Sequence, residues 1–474
     1  MGRPWSIDNR QSTFPIPVHD LSETIVAVST PPGRGGISVI RTSGPSAPAI
    51  VSACLKGNPT LGRKPRRATL ADFEDQLGRP IDRVLVTFFP APASYTGQEV
   101  IEVSCHGSVP VTAAIIRELT RRGMRLATPG EFTLRAFLNG KLDLSQAEAV
   151  RDLVNSQTEY QAQLARQQLD GALSRIVEPL RNELVRIISH LETALEFVED
   201  DVSPEDRQSL HRALEGVESR LGELESGFRF GRLLQEGAQV TIIGRPNAGK
   251  SSIFNALVRE ERAIVTEVPG TTRDALREVI DLGGIPAHLV DTAGIRASQD
   301  RLEKAGIDKS YEYLKRSDAV CFVVDGSEAF GEDDWRIWYA VRELPFVLAV
   351  NKSDLPRRAE IPAEVRESGA EIVAVSALQG TNMETLLERL ARVVARDRPG
   401  EQDGVIVSSL RQQGCLSQAK THLGKGRKAY REGLSEEFVL YDLRKALDAI
   451  GQVTGATDVE DILDAIFSTF CVGK

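Results

Sequence analysis

Apolar positions along this chain change their spacing three times, and each change marks a different architecture. Between residues 24 and 142 they come in short β-rich runs, Ile25 to Val28, Ile37 to Ile40, Val84 to Phe89 and Val100 to Val103, punctuated by Gly and Pro as in PPGRGG at 31–36. That pattern predicts an α+β domain. From Ser145 to Gly237 the only prolines are Pro179 and Pro204, and apolar residues recur at Leu180, Leu184, Ile187, Leu191, Leu195 and Val198. Steps of three and four residues predict long amphipathic helices. Residues 238–396 then alternate apolar runs (Gln239 to Ile243, Ala287 to Val290, Ala319 to Val324, Phe346 to Val350, Ile372 to Val375) with helix-length polar segments, which predicts a parallel sheet covered by helices. Beyond an Arg/Asp/Pro/Gly stretch at 396–404 the pattern is helical again up to the terminal FSTFCVGK. Helical stretches on both sides of an α/β insert predict one helical domain split in sequence, because two amphipathic halves can bury their apolar faces against each other.

The length of 474 residues sets a prior of about three domains. A hydrophobic share of 41% and a charged share of 26% exclude wholesale disorder, collagen and a coiled-coil rod. No apolar run approaches the roughly 18 residues of a membrane helix, so no membrane association is expected. The segment MGRPWSIDNR has no apolar core of a secretory signal, although Gly2 and Ser6 fit the bare myristoylation pattern. The five cysteines are scattered and form no CxxC pair, which argues against a disulfide framework or zinc site and fits a cytoplasmic location. The net charge of −9 is uneven: residues 1–145 carry 17 Lys and Arg against 12 Asp and Glu, and residues 146–236 carry 10 against 18. Nucleic acid would therefore be held by local patches such as Lys420, Lys425, Arg427, Lys428 and Arg431, which read equally well as a solvated helix face.

The candidate chemistry starts directly after the run QVTII. Gly244 to Ser251 is a complete GxxxxGK[ST] loop between a strand and a helix, with glycines that let backbone N–H groups surround phosphates. Lys250 supplies charge for the β/γ-phosphates, and the Ser251 hydroxyl suits Mg²⁺. Asp291, Thr292, Ala293 and Gly294 follow the run AHLV, where the carboxylate can reach the metal through water and the Gly N–H the γ-phosphate. Asn351, Lys352 and Asp354 follow FVLAV; Ser376, Ala377 and Leu378 follow IVAV. The Asp354 carboxylate can accept both the N1–H and the 2-amino protons of guanine, which adenine cannot offer. Four motifs in order, each at a strand's carboxyl end, specify GTP. Thr272 is a switch threonine for Mg²⁺. Ile295 stands where small GTPases carry a water-orienting Gln, so another group must orient the attacking water, and Asp300, Glu303 and Lys304 are near.

GRPNAGKSS, the IVT-x-x-x-GTTRD segment, DTAG followed by LEKAGI, PGEFTLRAFLNGKLDLSQAEAV and the terminal CVGK together resemble the MnmE (TrmE) family of tRNA-modifying GTPases, from about residue 23 to residue 474. The resemblance implies a multidomain α/β plus α protein: an N-terminal α+β folate-binding and dimerisation domain (1–144), a split helical domain (145–236 and 397–474), and an inserted Ras-like P-loop GTPase domain with a parallel sheet (237–396). It implies a homodimer working with FAD-dependent MnmG in a heterotetramer to place an aminomethyl or carboxymethylaminomethyl group on C5 of the wobble uridine of certain tRNAs. The one-carbon donor would be 5,10-methylene-tetrahydrofolate, with 5-formyl-tetrahydrofolate as analogue, held by Arg41, Glu102, Lys141 and Lys474. GTP would contact Asn247, Ala248, Gly249, Lys250, Ser251, Ser252, Thr266, Thr271 and Thr272 beside the later motifs. K⁺ would be bound by Asn247, Thr266, Val268 and Thr271. Glu303 would orient the water through a second water, and Arg296 matches a switch II arginine. Cys471 reads two ways: as a thiolate that adds to C6 of the uridine, or as a thiol packed beside the folate. Two other readings compete: a regulatory ribosome-assembly GTPase, which would typically append an RNA-binding module after the G domain, and a folate-dependent transferase with a vestigial G domain, which the completeness of the nucleotide motifs opposes.

Overall fold

The computed structural model describes residues 21–61, 65–196, 204–260, 277–291, 314–396, 398, 406–457, 463 and 466–473. They fall into two compact units, residues 1–151 with 454–474, and residues 152–453.

The first unit is built on a six-stranded sheet of order β3-β4-β5-β2-β1-β6. In chain order its elements are β1 (Ile25–Val28), β2 (Ile37–Ser43), α1 (Ala47–Ala53), β3 (Thr69–Glu74), β4 (Pro80–Phe89), β5 (Val100–His106), α2 (Val109–Arg121), β6 (Arg125–Leu126), α3 (Glu131–Leu138) and the start of α4 (Leu144–Asn155). Every pairing is antiparallel except β1 with β6. Alternate residues of the strands, Val26, Ile40, Phe73, Val84 and Val103 among them, bury one face against α1 and α2. Arg41 pairs in register with Glu102 on the opposite face.

The motif PGEFTLR is architecture in this unit. Glu131 and Arg135, one turn apart on α3, are both fully buried and bond to each other at 2.9 Å. Arg125 adds a second guanidinium at 2.7 Å from Glu131, and Arg135 also donates to the Glu23 carbonyl and Gln98 Oε1, each at 2.8 Å. The C-terminal tail, which the sequence groups with the helical part, packs in this unit: Ile466, Phe467 and Phe470 fill a cluster with Leu134, Leu144 and Ala147. Val472 bridges Pro129, and the Gly473 carbonyl accepts from Ser29 Oγ at 3.1 Å.

The second unit opens with helices α5 (Glu159–Leu169), α6 (Ala172–Glu196), α7 (Pro204–Ser226) and α8 (Phe228–Glu236). It continues through β7 (Ala238–Gly244), α9 (Lys250–Glu260), β8 (Arg277–Leu282), β9 (Ile285–Asp291), β10 (Ala319–Asp325), α10 (Glu332–Val341), β11 (Phe346–Asn351), α11 (Ala363–Arg366), β12 (Glu371–Ala374) and α12 (Met383–Val394), and ends on α13 (Leu410–Arg431) and α14 (Glu436–Thr454). Helices from both sides of the α/β insert share one core: Leu184, Leu214 and Leu221 pack with Leu416, Leu423 and Leu443. The helical domain is thus split in sequence and single in space.

The insert carries a sheet of order β12-β11-β10-β7-β9-β8. Every residue of β10 is buried, because alternate side chains enter opposite layers: Cys321 and Val323 face Leu257 and Leu386, while Val320, Phe322 and Val324 face Trp338, Val341 and Val365. The sheet is parallel with one exception that the apolar pattern does not show: β8 runs antiparallel to β9. Gly283 and Gly284 form the turn between them with φ of 62° and 95°, the positive values that a type I′ hairpin turn needs at both central positions.

Candidate functional site

After β7 the chain runs to β8 and then β9 on one side and returns to β10 on the other, so the sheet reverses its winding beside the carboxyl end of β7. That crevice is where open α/β sheets bind ligands. Four loops meet there. The phosphate loop turns at Asn247, with a φ of 62°, and at Gly249, with a φ of 94°. A side chain on Gly249 would place its Cβ 2.1 Å from Asn351 Nδ2, so glycine is required.

Asn351 is buried and ties three loops together. Its Nδ2 donates to the Ala248 carbonyl at 2.9 Å, and its Oδ1 accepts from the Ala377 N–H at 3.1 Å. Ser376 Oγ donates to Asp354 Oδ1 at 2.6 Å, which aims an exposed carboxylate from the neighbouring loop. Lys352 Nζ reaches Asp325 Oδ2 at 2.6 Å. Burial pushes the Asp325 carboxyl up, but Lys352 and Ser327 bond to it and hold it below its usual range. Lys250 Nζ donates to the Arg245 carbonyl at 2.9 Å, and Ser251 Oγ donates to Asp291 Oδ2 at 2.8 Å. A hydroxyl and a carboxylate this close form the hard-oxygen donor set that suits Mg²⁺.

In the first unit, Arg41 donates through Nε to Glu102 Oε1 at 3.0 Å. The guanidinium also lies 5.6 Å from the ring centre of Tyr95 and 5.9 Å from that of Phe132. Cys471 and Lys141 are exposed. Burial pushes the Cys54 and Cys321 thiols up to about 12 and Cys105 to about 11, which removes all three from nucleophilic chemistry.

The family described as GTP-binding protein TrmE N-terminus matches residues 24–141, and that described as MnmE helical domain matches residues 144–471. A protein of Koribacter versatilis named tRNA modification GTPase MnmE is 43% identical, covering 96% of this chain and 100% of its own. Proteins of the same name from Aquifex aeolicus and Heliobacterium modesticaldum are 39% and 41% identical, each covering 96% of this chain and 100% of its own. The chain belongs to the MnmE family. Among solved structures, the FeoB G-domain of Methanococcus jannaschii is 26% identical and covers 33% of this chain and 97% of its own, with a TM-score of 0.26.

For this MnmE-family chain the structure brings together Ala248, Gly249, Lys250, Ser251, Asp291, Asn351, Asp354, Ser376 and Ala377 through the bonds above. Ser252 follows Ser251 on α9, and Asn247 and Leu378 are exposed on their loops. Thr266, Val268, Thr271, Thr272, Thr292, Ala293, Gly294, Arg296, Glu303 and Lys474 lie outside the described residues. Arg41 and Glu102 meet, while Lys141 is on the loop after α3. Three members of the basic group on α13 are engaged with carboxylates: Lys420 with Glu225 at 2.8 Å, Arg427 with Glu218 at 2.8 Å, and Lys428 with Glu432 at 3.9 Å. Sequence reasoning passed over Asp325, whose only sequence signal is an acid at the end of the most apolar strand.

No described helix is long and apolar enough to cross a membrane, and the described residues hold no group of three or more His, Cys, Asp and Glu placed to bind a metal ion.

Proposed function

We propose that this chain is a GTP-hydrolysing enzyme of tRNA modification, a cytoplasmic homodimer that acts with FAD-dependent MnmG on C5 of the wobble uridine. The observation that carries this reading is Asn351, whose side chain locks the phosphate loop to the guanine-side loop at the switch point of the sheet. Lys250 leaves the Arg245 carbonyl for the β/γ-phosphates. Asp354, aimed by Ser376, accepts the two guanine N–H groups and excludes adenine. Ser251 and Thr272 would hold Mg²⁺, with Asp291 reaching it through water, while Asn247 would contribute to the K⁺ site with Thr266, Val268 and Thr271. These ions, when bound, supply positive charge at the phosphoryl oxygens. Glu303 orients the attacking water, and Arg296 is the switch II arginine.

Arg41 and Glu102 present a guanidinium and a carboxylate side by side, a donor and acceptor set that suits a folate, with Lys141 and Lys474 completing the charge. Methylene-tetrahydrofolate, when bound, supplies the one-carbon unit. Cys471 on the exposed tail is the candidate nucleophile toward uridine C6.

Mass spectrometry of tRNA nucleosides from a deletion strain tests the reading. The C5-modified wobble uridine should vanish and return with the native gene. Unchanged nucleosides with a ribosome-assembly defect would move the chain to the regulatory GTPases. In the same study, turnover in KCl should exceed that in NaCl at matched ionic strength by about 10²–10³, and Asn247→Ala should abolish the difference. Equal turnover in both salts would remove K⁺ from the mechanism.

A further inference from the structure

Arg245, the second residue of the phosphate loop, turns its side chain away from the crevice and toward the start of α10. Its Nε lies 3.7 Å from Asp334 Oδ2, and its terminal nitrogen lies 2.8 Å from Glu328, an ion pair without a hydrogen bond. Asp334 is fully buried, while Glu328 is largely exposed. Asp334 Oδ2 also accepts the Gly331 N–H at 3.0 Å and so caps α10. Asp334 stands at N3 of α10 and its bond to Gly331 is the return half of a capping box, which needs no buried charge, since an amide oxygen accepts the same N–H and costs less to desolvate. Arg245 is the cation that this carboxylate faces among the described residues. Burial raises the Asp334 carboxyl, and the Gly331 N–H and Arg245 draw it back. Its second oxygen, Oδ1, has no hydrogen-bond partner, nor has Nε1 of Trp338 one turn further along. A buried carboxylate kept in this state points to a task beyond capping.

The other end of Arg245 supplies that task. Its carbonyl accepts Lys250 Nζ at 2.9 Å, so the residue spans from the buried acid to the phosphate-binding lysine. On the near side of the loop, Gly244 is pressed so closely on the Val323 carbonyl that a Cβ would lie 2.3 Å from it. When phosphate takes Lys250 from the Arg245 carbonyl, that carbonyl keeps the long 3.4 Å bond from the Ala248 N–H, and the guanidinium adds a tether from the same residue to α10. We propose that Asp334 is a positioning residue for the phosphate loop, acting through Arg245 to hold the loop in its nucleotide-binding shape. This rests on the nucleotide reading given above.

Release of a fluorescent GDP analogue from the full-length protein, followed by stopped flow, tests it. Asp334→Asn keeps an oxygen for the Gly331 N–H and removes the charge; Arg245→Ala removes the tether from the loop side. Each should speed release about tenfold, the consequence of losing one charge-assisted contact. The double variant should release no faster than the faster single, because both substitutions break the same link. Multiplied effects, about a hundredfold in the double variant, would make Asp334 a helix cap only and overturn the proposal. Native release rates from Asp334→Asn in a protein that binds the analogue would overturn it as well. Failure of the native protein to bind the analogue would remove the nucleotide reading and the inference together.

Discussion

The nucleotide edge of the second sheet and the Glu131–Arg135 network of the first unit are both dense in polar side chains, yet they differ in what those groups face. Around the phosphate loop the bonds run between loops, and several end on side chains exposed to the crevice: Asp354 stands out beyond Ser376, and Ser251 beyond Asp291. In the first unit Glu131 and Arg135 have no exposed surface, and their bonds run to each other, Arg125, Gln98, the Thr128 hydroxyl and nearby backbone. One set is arranged to be finished by a ligand; the other is closed off from solvent and bonded within the fold. Conspicuous motifs can therefore mean opposite things, and PGEFTLR holds the fold where GRPNAGKS serves the chemistry.

The sharpest way to break this contrast is Glu131→Gln. Removing one partner of a fully buried pair leaves an uncompensated guanidinium and should cost about 3–5 kcal/mol. Urea unfolding of the full chain measures it, and an unmoved first transition would make the network dispensable. The pH dependence has a definite sign. Burial alone would push the Glu131 carboxyl up, but bonds from Arg125, the Thr128 N–H and Arg135 bring it from 4.5 down to about 2. A lowered carboxylate stabilises the fold fully above its ordinary value, and that stability drains as pH falls from about 4.5 toward about 2. The variant should lose this acid dependence.

At the nucleotide edge the matching test is Asp354→Asn, which leaves the core alone. Guanine offers two donors to the carboxylate, whereas the amide returns one acceptor and one donor, so GTP affinity should fall about 10²-fold. Xanthosine triphosphate, whose 2-oxo group accepts a hydrogen bond, should recover binding. Equilibrium titration with both nucleotides decides the matter; unchanged GTP affinity would take Asp354 out of base recognition.

How legible all this was in the sequence follows the same division. The phosphate loop and Asn351 to Asp354 are short contiguous strings, and the central strands are apolar runs because both faces are buried. The strands that periodicity missed, β3, β6 and β8, all lie at sheet edges, where one side is open and charged residues such as Asp72, Arg125 and Asp281 break the apolar pattern. The parallel-sheet expectation failed only at β8, where Gly283 and Gly284 were not read as a hairpin. The basic group on α13 was ambiguous because the counter-charges of Lys420 and Arg427 sit on α7, some 200 positions away. Arg41 and Glu102 are 61 positions apart, and only family resemblance singled them out.

That pair carries the smallest expected effect and the finest test of the contrast. Arg41 and Glu102 face each other across β2 and β5 with partial exposure on both sides, in the range where an ion pair contributes about 0–1 kcal/mol. Arg41→Ala should therefore leave the unfolding midpoint almost where it was, unlike Glu131→Gln. If the pair instead waits for a ligand, as the residues of the nucleotide edge do, the same substitution should weaken 5-formyl-tetrahydrofolate about tenfold, since a charge-assisted contact to a carboxylate is lost. Tyr95 and Phe132 keep the guanidinium in place by lying beneath it, so Arg41→Lys, which loses the planar fork that stacks on them, should restore only part of the affinity. Titration of the folate analogue into each variant beside its thermal melt separates the alternatives. A large loss of stability with no change in folate binding would place Arg41 with Glu131 among the residues that hold the fold, and the first sheet would then have no ligand face at this pair.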